Sequence, residues 1–206
     1  MRPQEHAELR DLENWWGGFY ELALELGPEN DARLDKAIAA LCSATGAEAW
    51  YPMDAAGGVS DEVVACSLES LLANSQIRAV AHTSQIGSIV CGLLAIRGLV
   101  GASSVRRDWL CFYVPMGALG RRFSEVGAYP FADVEKSLTW RQPLDSHLAE
   151  IARRVYKLVP FSLGLIGIEV SGEVESEDLK QGIPEDRPFG YLVPNGEALR
   201  YYPATV

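Results

Sequence analysis

The spacing of apolar and polar positions changes several times along this chain, and each change marks an element. Over residues 19–26, FYELALEL, Tyr20, Leu22, Leu24 and Leu26 alternate with a face carrying Glu21 and Glu25. That period of two is a strand with one apolar and one more polar face. Gly27 and Pro28 end it, and NWWGG at 14–18 reads as its anchored entrance, which suggests an edge or near-edge strand. Over residues 28–46 the period lengthens. Leu34, Ile38 and Leu41 share a stripe, acids fill the first turn and Gly46 stands just past the last, as an amphipathic helix requires.

AEAWYP at 47–52 reads as a second strand, DAAGGVS at 54–60 as a break, and residues 61–74 as a short helix of ambiguous register. Residues 77–83 and 87–98 form a predicted hairpin, and WLCFYVP at 109–115 a strand apolar on both faces, hence central. Residues 116–139, with the turn-like AYPF, read as a loop. In PLDSHLAEIARRVYKLV, at 143–159, Leu144, Leu148, Ile151, Val155 and Leu158 alternate steps of four and three, with Pro143 at the start. FSLGLIGIEV at 161–170 is a strand, and residues 189–203 a hairpin turning at Asn195-Gly196. The economical fold is α+β: a two-layer sandwich with a mixed, largely antiparallel sheet and two main amphipathic helices, in a single domain over residues 1–206.

Composition adds a partner preference. The formal net charge is −10, and it is uneven: −9 over residues 1–96, +4 over 97–160 and −5 over 161–206. The two acidic ends repel polyanions, the middle does not, and such a surface suits a basic protein partner. The densest stretch is EVSGEVESEDLKQGIPEDRP, where residues 169–186 hold seven acidic side chains against one lysine. Its part at 171–187 reads as an acidic loop, either solvated without a partner or able to occupy a basic groove. The charged segment 1–13 lacks the apolar stretch of a secretory signal, and the longest apolar run, at 89–96, is too short for a membrane span, so the expected location is cytoplasmic.

Catalytic patterns are scarce. Glu21 and Glu25 share a strand face but stand roughly 13 Å apart along it, beyond the about 5 to 9.5 Å of paired glycosidase carboxylates. Glu169 is a candidate neighbour from another strand. His6, His82 and His147 belong to no metal-binding or hydrolase motif, and His147, off the apolar stripe of its helix, reads as a solvated surface residue. Cys42, Cys66, Cys91 and Cys111 contain no C-x-x-C pair, which argues against structural zinc, and Cys91 and Cys111 read as small core hydrophobes. Neither a phosphate-cradling loop nor an EF-hand order is present, and the small-residue GLVGASS at 98–104 reads as a turn. The arginine pairs at 106–107, 121–122 and 153–154 read as solvated charges or ion-pair partners. We expect no enzyme, no cofactor and no metal.

Three segments together resemble a known family. WWGGFYEL at 15–22, DWLCFYVPMGAL at 108–119 and LAEIARRVYKLVPFSLGLIGIEVSGE at 148–173 resemble bacterial polymorphic-toxin immunity proteins. The group in question is paired with nuclease toxins of restriction-endonuclease fold, some delivered by type VI secretion. The resemblance implies a cytoplasmic inhibitor that binds one cognate toxin by occupation, with no catalytic residues to carry over.

The expected function is therefore a non-enzymatic immunity protein that masks the active site or DNA-binding groove of a basic nuclease toxin. Glu173, Glu175, Glu177, Asp178, Glu185 and Asp186 are the expected protein-binding residues, and reversing the charges at 173–178 should leave the fold intact. Two alternatives stand beside this reading: a small-molecule enzyme with its site on the open sheet face around Glu21, Glu25 and Glu169, and a structural or adaptor module.

Overall fold

A computed structural model describes residues 3–53, 58–83, 86–100, 105–126 and 134–206. Four residues of the glycine-containing break at 54–60, the last four of GLVGASS and the AYPF turn lie outside them. In chain order the elements are α1 (Pro3–Arg10), β1 (Phe19–Pro28), α2 (Asp31–Thr45), β2 (Tyr51–Pro52), α3 (Leu68–Asn74), β3 (Gln76–Thr83), β4 (Gly87–Val100), β5 (Arg106–Pro115), α4 (Met116–Arg122), α5 (Val134–Leu158), β6 (Leu163–Ile168), β7 (Gly190–Asn195) and β8 (Ala198–Tyr202). The fold is α+β, as expected. Its eight strands form one sheet in the order β2-β3-β4-β5-β1-β6-β7-β8, and every described pair is antiparallel. No parallel pair occurs among them, so the sheet is not mixed.

β1 is not an edge strand. It lies between β5 and β6, paired along most of its length on both sides. One face carries Tyr20, Leu22, Leu24 and Leu26, which meet Leu110, Phe112, Val114 and Ile166 beneath α2 and α5. This is the main core. α2 is capped by Asn30, whose side chain accepts from Arg33 N–H at 2.9 Å, and it ends at Gly46 in the left-handed region, φ 70°.

The second face, carrying Glu21, Ala23 and Glu25, is also covered. Over β3 and β4 lie α1 and a 3-10 turn at Leu12–Trp15; over β5, β1 and β6 lies the segment that follows β6. The described part of the charged segment, residues 3–13, is thus a packed element, with Leu9 and Glu5 buried. Trp15 anchors it: its Nε1 donates to Leu9 O at 3.0 Å, its ring meets Tyr113 edge-on, and the Arg78 guanidinium lies 3.8 Å from its centroid. Gly92, opposite Tyr113, leaves room for the tyrosine ring, which a Cβ would strike.

Several boundaries differ from those that periodicity predicts. The helix at 61–74 covers only 68–74. Upstream, Val59 and Val64 bridge to Met53 and Trp50, beside a strand reduced to 51–52. The span 116–139 contains α4 and the start of α5, so Pro143 lies inside a helix of 25 residues rather than at its first turn. Proline costs most where its missing N–H and its ring disturb the preceding turn, and here the helix continues through it. His147 is half-buried rather than solvated; burial holds its pKa below the ordinary value, and its Nε2 has no partner among the described residues. Cys91 and Cys111 are buried free thiols, as expected, while Cys42 and Cys66 form a disulfide that ties α2 to the segment before α3. No described helix is long and apolar enough to cross a membrane.

Candidate functional site

The segment following β6 departs from strand geometry at Glu169, an exposed residue at φ 48°. It then folds back as a lid over the sheet. Its underside is apolar: Val170, Val174, Leu179, Ile183 and Phe189 pack onto Ala23, Trp109, Cys111, Leu163 and Leu165. A 3-10 turn at Ser176–Gln181 stiffens the middle. Glu175 caps that turn reciprocally with Asp178, whose carboxylate accepts from Glu175 N–H at 2.9 Å.

Buried carboxylates from the central strand hold this lid. Glu21 accepts from Ser171 N–H at 2.8 Å. Glu25 accepts from Ser176 N–H at 2.8 Å, from Ser176 Oγ at 2.9 Å and from Arg107 Nη1 at 2.7 Å. Arg107 reaches onward to Glu177. Burial pushes the pKa values of Glu21 and Glu25 up, and the hydrogen bonds from Ser171 and Ser176 pull them back, with Arg107 helping at Glu25. At Glu177 burial also acts upward, but its backbone hydrogen bond and the Arg107 charge outweigh it and hold the carboxyl below its ordinary range. Unpaired, these charges would be costly beneath a lid. Here each buried carboxylate receives at least one backbone N–H, which makes it an internal acceptor and a tether at once.

The six residues expected to bind a partner therefore divide by environment. Glu173, Asp178, Glu185 and Asp186 are exposed on the outer surface of the lid. Glu177 is half-buried against Arg107, and Glu175 is buried at the cap of the 3-10 turn. Reversing the charge at Glu175, Glu177 or the capping Asp178 would thus disturb the lid itself, contrary to the expectation that all four residues at 173–178 are free to change. The sheet face bearing Glu21 and Glu25 is closed rather than open, and both carboxylates face protein donors. Glu169 stands outside the lid's underside, near enough for its charge to add to the upward shift at Glu21.

Of the arginine pairs, Arg122 donates from Nε to Ile86 O at 2.9 Å, and the others make ion pairs. Arg106 pairs with Glu29, Arg121 with Asp11 and Glu13, and Arg153 and Arg154 with Glu150. A cleft of about 200 Å³ lies elsewhere, between α1, β4 and α4, with Glu8, Asn14, Ile89, Val90, Arg121 and Arg122 among its walls. Among the described residues no group of three or more His, Cys, Asp or Glu side chains could hold a metal ion. Sequence reasoning named the acids but missed their anchors, Ser171, Ser176 and Arg107. The available signal was the pair Glu21 and Glu25 inside an otherwise apolar strand, since carboxylates in such a place demand donors.

Comparison with known proteins finds no match among family models, curated proteins or solved structures.

Proposed function

We propose that this is a non-catalytic immunity protein that neutralises a cognate basic nuclease toxin in the cytoplasm, occupying its active site or DNA-binding groove with the acidic lid. The observation that carries this reading is the tethering of the lid. Glu173, Glu185 and Asp186 project from a segment pinned at Ser171 and Ser176 and stiffened by the Glu175–Asp178 cap, so the charged surface is ordered before any partner arrives. Pre-ordering spares an interface the entropy of arranging a loop. A fixed array of carboxylates competes with phosphate for the cationic surface that a nuclease needs. The resemblance of the strand and helix segments to toxin-immunity proteins points the same way.

The test uses the protein encoded beside this chain, which this reading requires to be a nuclease. Co-expression should protect cells from it, and calorimetry at about 0.15 M salt, where surface charges are partly screened, should show tight binding. A variant with Glu173, Glu185 and Asp186 all changed to Lys, sparing the capping carboxylate of Asp178, should stay folded, bind far more weakly and fail to protect. Equal protection by that variant would remove the lid from the interface, and absence of binding by the unchanged protein would remove the reading altogether.

A further inference from the structure

Two adjacent tryptophans at the start of β1 have opposite fates. Trp15 is packed against Tyr113 and Arg78, whereas Trp16 is 66% exposed, more than any other large hydrophobic residue described. Its backbone is nevertheless held firmly. Trp16 O accepts from Gly117 N–H at 2.8 Å, and Gly17 and Gly18 follow at φ 83° and 80°, a path that L side chains rarely adopt. Leu12, on the turn just before it, is 55% exposed. An indole displayed on a fixed backbone has few freedoms left to lose on docking, which is the character of an interface anchor.

The surroundings of Trp16 indicate what docks there. Asp11 and Glu13 share the single cation Arg121. On the other side Glu169 is exposed, with its carboxylate beside Gly18: a Cβ on that glycine would lie 2.8 Å from Glu169 Oε1. Glu169 is also where the acidic lid begins, so the first carboxylate of that segment stands beside the glycines that follow Trp16. With the net charge at −10, a second copy would bring like charges together, while a cationic partner gains both ion pairing and a cation–π contact with the indole.

We propose that Trp16, supported by Leu12, is the apolar anchor of the interface with the basic partner, entering an apolar pocket rimmed by Lys or Arg side chains. This rests on the immunity reading above and deepens it by dividing the labour. Trp16 supplies residence time, and the lid acids supply steering and selectivity.

The experiment compares Trp16→Ala, Trp16→Phe and the three-lysine lid variant against the protein encoded beside this chain, by calorimetry and by association and dissociation rates over a range of salt. Trp16→Ala should bind about 30-fold or more weakly, chiefly through faster dissociation, with its salt dependence intact. Trp16→Phe should recover most of the loss, and the lid variant should instead flatten the salt dependence. Unchanged thermal unfolding of Trp16→Ala verifies the fold, because the side chain it removes is exposed. Binding by the wild type with Trp16→Ala within twofold of it would overturn this inference and leave the immunity reading standing. No binding by the wild type would remove both. A wild-type dimer in sedimentation that Trp16→Ala dissolves would assign the surface to a second copy and overturn the proposal.

Discussion

Replacing Arg107 by methionine removes the cation from a buried carboxylate while keeping much of the side-chain volume. Glu25 is fully buried, and Arg107 Nη1 lies 2.7 Å from its Oε1; the remaining donors are the N–H and Oγ of Ser176. Without Arg107 the carboxylate can escape its penalty by taking a proton, which sets a ceiling on the loss. From an ordinary glutamate pKa of about 4.3 to pH 7 is about 2.7 units, or about 3.7 kcal/mol. Arg107→Met should therefore destabilise by about 2 to 3 kcal/mol at pH 7, under that ceiling because burial already raises the wild-type Glu25 pKa. At pH 5 the same ceiling is only about 1 kcal/mol. The sign follows from a folded-state pKa raised above the unfolded one: the contribution is fully present below about pH 4.3 and lost as pH rises toward the folded value. Glu25→Gln/Arg107→Met removes the charge as well and should recover most of the loss, with little pH dependence from this pair. Urea unfolding at pH 5 and pH 7, followed by tryptophan fluorescence, measures each variant, and hydrogen exchange at the Ser171 and Ser176 amides reports whether the lid loosens. A loss under about 1 kcal/mol at pH 7, or an equal loss at both pH values, would refute the tether.

Asp145 sits in a second buried polar group, accepting from Tyr20 and Tyr201 with Arg141 beside Tyr20. Burial, partly opposed by Tyr20, Arg141 and Tyr201, raises its pKa from 3.8 to about 6. Its contribution to stability, about 3 kcal/mol, should thus be present below about pH 4 and lost by about pH 6, a trend that Asp145→Asn should flatten; identical pH profiles for the two proteins would contradict this. The disulfide between Cys42 and Cys66 spans a sequence separation of 24, a loop worth about 3.5 kcal/mol by chain entropy. Dithiothreitol should lower the melting temperature of the wild type and leave a Cys42→Ser/Cys66→Ser variant unchanged. Buried Cys91 and Cys111 should resist thiol reagents until unfolding. Gly92→Ala should cost about 1 to 3 kcal/mol by overpacking against Tyr113, and Tyr113→Leu in the same chain should relieve part of that cost, measured by urea unfolding.

Much of the fold was legible in local pattern. The alternation at 19–26, the stripe of Leu34, Ile38 and Leu41 and the Asn195-Gly196 turn each lie where the structure has β1, α2 and the β7–β8 hairpin. Apolar runs on both faces correctly placed β5 inside the sheet. Where expectation failed, a distant contact decided. The glutamates on β1 suggested a face toward water because a carboxylate on a strand is normally solvated. The donors that bury them come from residues 82 and about 150 positions away. Pro143 suggested a helix start because its preference for the first turn is local; packing of Trp140, Leu144 and Leu148 in the core accompanies the helix on both sides of it.

The sequence by itself determined the types of the main strands and of the two main helices, the apolar stripe of each of those helices, the acidic balance and the concentration of acids after β6. All of these follow from backbone geometry repeating every two or 3.6 residues and from counting charges. Only the tertiary structure decided that β1 is central, that its glutamates hold a lid, which lid acids are exposed and which are buried, and that Trp15 is packed while Trp16 is exposed. These depend on which distant groups the closed chain brings together, and loop closure carries no periodic signature along the sequence.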